Sequence, residues 1–250
     1  MGTNDFLIVD GVLEKYNGSD ADVVVPDGVT TIGPSAFARC RDLTSITLPE
    51  GSAEISEYAF SNCINLQNIV LPKSITQIGY NAFNNCANLS DITLPEGIIE
   101  IGPWAFYGCT TLTSITLPEN VTEIHQCAFK GCTSLASIIL PEGITRIDWV
   151  AFEDCTSLLN IVLPESITEI GAFAFSRCES LTCISILNSN CKINEKIFGD
   201  KMPKSLIPCV KTLYSYFSDD MLKQYVLDAS VWPNLAPEVQ AEIFLPDVVI

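Results

Sequence analysis

The sequence predicts an α/β solenoid, a single superhelix of equal turns stacked like coils of a spring. Two observations carry that prediction. One 23-residue unit recurs seven times without insertion or deletion, at Pro26, Pro49, Pro72, Pro95, Pro118, Pro141 and Pro164. In register with the prolines run an Ala-Phe pair, with Phe37, Phe60, Phe83, Phe106, Phe129, Phe152 and Phe175, and a cysteine, Cys40 through Cys178. Equal turn length puts equivalent residues on top of one another, so each repeat contacts only its neighbours.

A period of 23 falls within the 20–29 residues of leucine-rich-repeat units. The first element, however, precedes the array. Phe6–Val9 and Val12–Tyr16 read as two strands joined at Asp10-Gly11, a favoured hairpin turn, and predict an N-terminal β-hairpin cap over residues 1–22. The repeats then occupy residues 23–198. In each, a stretch such as Leu43-Thr-Ser-Ile46-Thr-Leu48 alternates apolar and polar side chains, the period of a half-buried strand. Proline ends that strand because it has no N–H for a ladder. Gly28, Gly51, Gly97 and Gly143, or Ser and Asn in their place, supply a turn two residues on. A short apolar segment follows, ending at Ile32, Ile55, Ile78, Ile101, Ile124, Ile147 or Ile170. The A-F-x-x-C piece has helical spacing for one or two turns at most.

Parallel strands spaced about 4.8 Å apart would make seven repeats a continuous sheet roughly 30 Å long. The phenylalanines would form a spine through the interior. Leu181 to Phe198 is a degraded eighth repeat, with Leu187 at the proline position and Lys201 at the cysteine position. Beyond it, Ser218-Asp219-Asp220 and Ala236-Pro237-Glu238 are helix starts, and residues 199–250 read as a C-terminal helical cap over an otherwise open strand edge.

The chain is acidic, with formal charge −17. Residues 1–185 carry 7 Lys+Arg against 22 Asp+Glu, or −15. Much of the acid stands in two columns. One follows the prolines: Asp27, Glu50, Glu96, Glu119, Glu142 and Glu165, with Lys73 among them. The other is Glu54, Glu100, Glu123 and Glu169, interrupted by Gln77 and Arg146. Carboxylates stacked about 5 Å apart repel by about 0.8 kcal/mol per pair in water, which predicts a solvated, aggregation-resistant surface. Calcium would need oxygen ligands converging from several directions, so no metal or cofactor is expected. The basic footprint of a nucleic-acid binder is missing, and no apolar run of 18 residues predicts membrane insertion. The first 25 residues hold several acids and no basic region, which argues against a signal peptide.

Seven of eleven cysteines belong to the repeat position, and they are expected as buried free thiols that pack as small apolar residues. The only histidine, His125, shares a position with Gly33, Ser56, Gly79, Gly102, Asp148 and Gly171. That is read as a turn site tolerant of left-handed φ rather than a catalytic site. One histidine and no phosphate loop exclude the His-based triad and the HExxH metalloprotease, so no enzyme is expected. Two surfaces are candidates for a protein partner. The outer positions of the strands offer Thr47, Asn68, Val70, Asp91, Thr93, Ser114, Thr116 and Ile139, which are short and nearly uncharged. An aromatic ridge just before the Ala-Phe pairs holds Tyr58, Tyr80, Trp104, Trp149 and Phe173, with Tyr107 beyond.

The unit L-x-x-I-x-L-P-x-x-V-x-x-I-G-x-x-A-F-x-x-C resembles the BspA-like family of bacterial leucine-rich repeats, as in Ile92-Thr-Leu-Pro95 through Ile101-Gly102 to Ala105-Phe106 and Cys109. The resemblance covers Val23 to Phe198. It implies a right-handed leucine-rich-repeat superhelix with a parallel sheet on its concave face, and a bacterial cell-surface or secreted adhesin-type protein that binds host or partner proteins. The expected ligand is a protein, neutral or basic, met by a monomer. The alternative is a cytoplasmic structural scaffold of the same repeat class.

Overall fold

The computed structural model describes residues 5–188, 190–201, 203 and 206. Strand β1 (Phe6–Val9) pairs antiparallel with β2 (Val12–Tyr16) across Asp10 and Gly11, both at positive φ (49° and 80°), the hairpin turn expected of that dipeptide. The chain then winds through about eight turns, which contribute to two stacks of parallel strands.

The first stack contains β3 (Asp22–Val24), β5 (Ser45–Thr47), β7 (Asn68–Val70), β10 (Ser114–Thr116), β12 (Ser137–Ile139), β14 (Asn160–Leu163) and β16 (Cys183–Ile186). The second contains β4 (Thr31–Ile32), β6 (Glu54–Ile55), β8 (Gln77–Ile78), β9 (Glu100–Ile101), β11 (Glu123–Ile124), β13 (Arg146–Ile147), β15 (Glu169–Ile170) and β17 (Lys192–Ile193). Register is set by the repeat, as in Ile46↔Ile69 and Ile147↔Ile170. Strand β2 joins the second stack through β4, so the N-terminal hairpin continues the sheet instead of ending it.

Neither stack is continuous, which corrects the expectation of one long sheet. The first divides into β3-β5-β7, β10-β12 and β14-β16, and Asp91 to Thr93 form no strand. The second divides between β9 and β11. What runs unbroken through these gaps is the third side of each turn. Phe60, Phe83, Phe106, Phe129 and Phe152 each donate their N–H to the carbonyl of the alanine in the following turn, at 2.8–2.9 Å. Their rings stack 5.3–5.5 Å apart and within 6° of parallel. At the N-terminal end Tyr16 stands in for phenylalanine, 5.2 Å from Phe37, and Phe6 covers Tyr16 in turn.

The A-F-x-x-C segment is not helical, and the described residues include no α-helix. The first six turns instead close two successive i→i+3 bonds, as in Ala82 N–H to Gly79 O and Cys86 N–H to Phe83 O, and the seventh keeps the second, from Cys178 N–H to Phe175 O. The third residue of each bend has positive φ, as a type II turn requires. One set is Ser35, Tyr58, Asn81, Trp104, Cys127, Val150 and Phe173; the other is Arg39, Asn62, Asn85, Gly108, Gly131, Asp154 and Arg177. Two left-handed residues in every eight forbid a helix.

The left-handed position thus lies two residues past His125, at Cys127, where φ is 55°. Glycine recurs at the histidine's position for another reason. A Cβ on Gly79 would lie 2.8 Å from the Ser56 carbonyl carbon, and one on Gly171 2.7 Å from the Trp149 nitrogen. The helical patterns after Pro203, the turn residue Ser189 and Cys209 lie outside the described residues.

Candidate functional site

The outer side chains of the first stack form a row of exposed positions from turn to turn. Inward residues such as Ile46, Ile115 and Ile161 are buried, so by strand alternation their neighbours face solvent. Thr47, Asn68, Val70, Asp91, Thr93, Ser114, Thr116 and Ile139 are all exposed. Val24, Val70, Ile139 and Val162 are 58–62% exposed and share a column with the threonines. The structure therefore brings the sheet candidates onto one face, in three strand segments. Where pairing lapses, a groove of about 280 Å³ opens between Asp91 and Thr93 on one side and Ser114 and Thr116 on the other.

The ridge candidates separate into two groups. Tyr58 and Tyr80 meet edge to face with ring centroids 5.3 Å apart, and the Tyr58 phenol is held above its ordinary pKa, chiefly by its hydrogen bond with Tyr80. Trp104, half-buried, leans on Tyr107 at 5.1 Å. Trp149 is 47% exposed and lies two turns further on, in the column of Tyr80 and not that of Trp104. Between the two aromatic pairs runs a chain of amides that the sequence reading missed. Asn84 donates to Asn81 Oδ1 (2.6 Å), and Asn85 donates to Asn84 Oδ1 (2.9 Å) and to Asn62 Oδ1 (3.4 Å). Its only sequence signal is the local richness in asparagine, Asn62 in one repeat and Asn81, Asn84 and Asn85 in the next.

Further along the same side the chemistry turns ionic. Glu153, 8% exposed, accepts from Lys130 in the turn before and from Arg177 (2.8 Å) in the turn after. Arg177 also reaches Asp154 at 3.1 Å. Burial alone would raise the Glu153 pKa, but the hydrogen bonds from Lys130 and Arg177 outweigh it and hold the carboxyl below its usual value. A groove of about 630 Å³ follows, between Arg177 and Phe173 and the Phe198–Lys201 turn.

The ten described cysteines are free thiols. Six of the seven repeat cysteines are buried, while Cys40, in the first turn, is half-buried. Burial pushes the Cys63 and Cys132 thiols up to about 12, and those of Cys86, Cys109 and Cys155 well above the usual range. That is the opposite of what a nucleophilic cysteine needs. His125 is half-buried with Nδ1 3.9 Å from Glu123. No group of three metal-ligating side chains converges among the described residues, and no helix among them is long and apolar enough to cross a membrane.

The profile of BspA type leucine rich repeat regions matches residues 15–109 and 76–202, in six copies. Among solved structures, a leucine rich repeat protein of T. pallidum superposes with a TM-score of 0.68 at 31% identity, over 72% of this chain and 90% of that one. A leucine rich cell surface protein of Faecalibacterium prausnitzii A2-165 gives 0.66 at 29% identity, over 75% of this chain and 52% of that one, so this chain spans about half its length. A leucine-rich repeat protein of Bacteroides ovatus shares the fold at 23% identity and a TM-score of 0.53, over 82% of this chain and 80% of that one. No curated protein matches the chain.

Proposed function

We propose that this chain, which belongs to the BspA-type leucine-rich-repeat family, is a non-enzymatic recognition module that binds a protein partner across its first strand stack. The observation that carries this reading is the exposed column Val24, Thr47, Val70, Thr93, Thr116, Ile139 and Val162. Four of its members are large apolar side chains more than half exposed among the described residues. Short β-branched side chains lose little rotamer freedom when covered, so such a face binds at low entropic cost. The contact residues are Thr47, Asn68, Val70, Asp91, Thr93, Ser114, Thr116 and Ile139, extending toward Trp104 and Trp149.

The partner is a neutral or basic protein; the acidic columns repel an acidic partner such as nucleic acid and steer a basic one, an effect that fades with salt. In this reading the superhelix is right-handed with the sheet on its concave face, a hairpin cap over residues 1–22, repeats over 23–198 and a helical cap over 199–250. The protein acts as a monomer at the bacterial cell surface in an adhesin-type role, which the likeness to the F. prausnitzii cell surface protein supports. The ten free thiols favour the second reading, a cytoplasmic scaffold, because thiols persist most readily in reducing compartments.

Partners are captured from host extracellular proteins and, separately, from bacterial lysate. Thr93→Arg with Thr116→Arg should abolish capture at any ionic strength, while Glu96→Lys with Glu119→Lys should slow association at low salt only. Normal capture by the threonine variant, together with its loss in Trp104→Ala, would move the site to the ridge. Surface labelling of intact cells decides between the two locations.

A further inference from the structure

We propose that the aromatic and amide ridge around Tyr58, Asn81 and Trp104 is a binding site for a neutral oligosaccharide. The first observation is conformational. Tyr58 and Trp104 occupy the left-handed position that closes each first bend, with φ of 58° and 61°. Bulky side chains rarely adopt that region, whereas asparagine does so readily. Asn81, between them at φ 55°, shows that the turn accepts the easier residue. The aromatics do not compensate by filling the core: Tyr58 is 38% exposed, its partner Tyr80 39%, and Trp104 only half-buried. The same bend holds Ser35, Cys127, Val150 and Phe173 at φ of 51–59°, so the left-handed backbone belongs to the repeat; Cys127 and Val150 bury their side chains there, whereas Tyr58 and Trp104 keep their rings partly exposed, where a ligand can reach them.

The second observation is chemical. Between the Tyr58–Tyr80 pair and the Trp104–Tyr107 pair lie Asn62, Asn81, Asn84 and Asn85, tied to one another by amide hydrogen bonds. A sugar ring offers an apolar C–H face and a rim of hydroxyls that both donate and accept. Flat aromatic rings cover the first, and carboxamides, which also donate and accept, answer the second. The amides are already held in place, so little rotamer freedom remains to be lost on binding.

The third observation is charge. On this chain of net charge −17, the ridge positions of these three turns carry one charged side chain, Glu57. The same positions three turns on carry Lys130, Glu153, Asp154 and Arg177. A ligand without charge fits the first region and not the second. Tyr58 and Trp104 are two turns apart, about 10 Å at the usual strand spacing, and Tyr80 stands in the turn between them, a spread that suits a chain of sugars rather than a single one.

Isothermal titration of the full chain with cellohexaose, mannohexaose, chitohexaose and xylohexaose, with oligogalacturonate as the acidic comparison, tests the proposal. At least one neutral hexasaccharide should bind saturably and shift tryptophan fluorescence, and oligogalacturonate should not. Tyr58→Asn and Trp104→Asn should each weaken that binding by about tenfold while the melting temperature holds or rises, because asparagine suits the left-handed position. Tyr80→Ser, outside the strained position, should weaken it without touching the turn. Thr93→Arg with Thr116→Arg should leave it unchanged, which separates this site from the sheet face. The proposal is overturned if no neutral sugar binds, if binding survives all three ridge variants, or if Trp104→Asn abolishes capture of a protein by a chain that binds no sugar.

Discussion

Cys63 donates its thiol to the carbonyl oxygen of Phe37, 2.9 Å away in the preceding turn. The same oxygen accepts the Cys40 N–H at 3.0 Å, so one carbonyl closes its own bend and anchors the next turn. The pairing recurs from Cys86, Cys109, Cys132, Cys155 and Cys178 to the phenylalanine 26 residues earlier, at 3.1–3.3 Å. Cysteine is thus a small buried side chain that also satisfies a backbone acceptor. Alanine would pack there but leave the second lone pair without its donor.

These six thiols should resist alkylation in the native protein, since burial both hides them and keeps them protonated. Iodoacetamide labelling at pH 8 with mass-spectrometric mapping should find Cys63 through Cys178 unmodified until denaturant is added. Rapid native labelling of any of the six, or disulfides among them, contradicts the ladder. Cys109→Ala should cost about 1 kcal/mol, the usual worth of one buried hydrogen bond.

The break in the second stack falls between Glu100 and Glu123. Every other pair of that column joins unlike groups: Glu54↔Gln77, Gln77↔Glu100, Glu123↔Arg146, Arg146↔Glu169 and Glu169↔Lys192. Gln77 donates to Glu100 at 3.2 Å, and Arg146 approaches Glu169 at 3.7 Å. Like charges directly opposite destabilise a ladder, which predicts that the two glutamates hold this gap open. Glu100→Lys should close it, adding about 0.5 kcal/mol of stability and slowing amide exchange at Glu123 and His125. Unchanged exchange in that variant would detach the gap from the charges.

The left-handed positions predict a gain from removing a side chain. Arg39 is exposed at φ 64°, where Gly108 and Gly131 stand in later turns. Arg39→Gly should stabilise the fold by about 1 kcal/mol, the cost of left-handed backbone for an L-residue less the chain entropy glycine adds to the unfolded state. A lowered melting temperature would mean that the arginine contributes more than its backbone costs.

Glu153 sets a pH dependence. Its carboxyl has a lower pKa folded than unfolded, so its contribution is complete above the ordinary carboxylate range and fades as pH falls through the folded value. Glu153→Gln should therefore cost about 1–2 kcal/mol at pH 7, a figure tempered by the exposure of Arg177, and the difference from wild type should shrink in acid. Paired denaturant titrations at pH 7 and pH 3 measure it. An equal penalty at both values would assign the loss to packing.

The sequence by itself determined the repeat, which residues face inward, the Asp10-Gly11 hairpin and the family. Those follow from period and alternation, because turns of equal length must stack equivalent residues. It also placed the outward positions from Thr47 to Ile139, since strand alternation is a local rule. Tertiary structure alone decided what passes between turns. A-F-x-x-C carries helical spacing, yet the forward bond from each Phe N–H to the next turn's alanine requires bends with φ above zero, so Tyr58 and Trp104 sit where glycine was expected two residues earlier. The period already sets Glu100 beside Glu123 as the one pair of adjacent glutamates in its column; that the sheet parts there is seen only in the structure. Asn62, Asn81, Asn84 and Asn85 belong to two repeats and three positions of the unit, and stacking alone makes them one chain of amides. Local pattern fixes which way a side chain faces, and the period names the equivalent residue in the next turn; contacts between non-equivalent positions, such as Cys63 to Phe37 and Phe60 to Ala82, depend on a backbone approach of a few ångströms that the period does not encode.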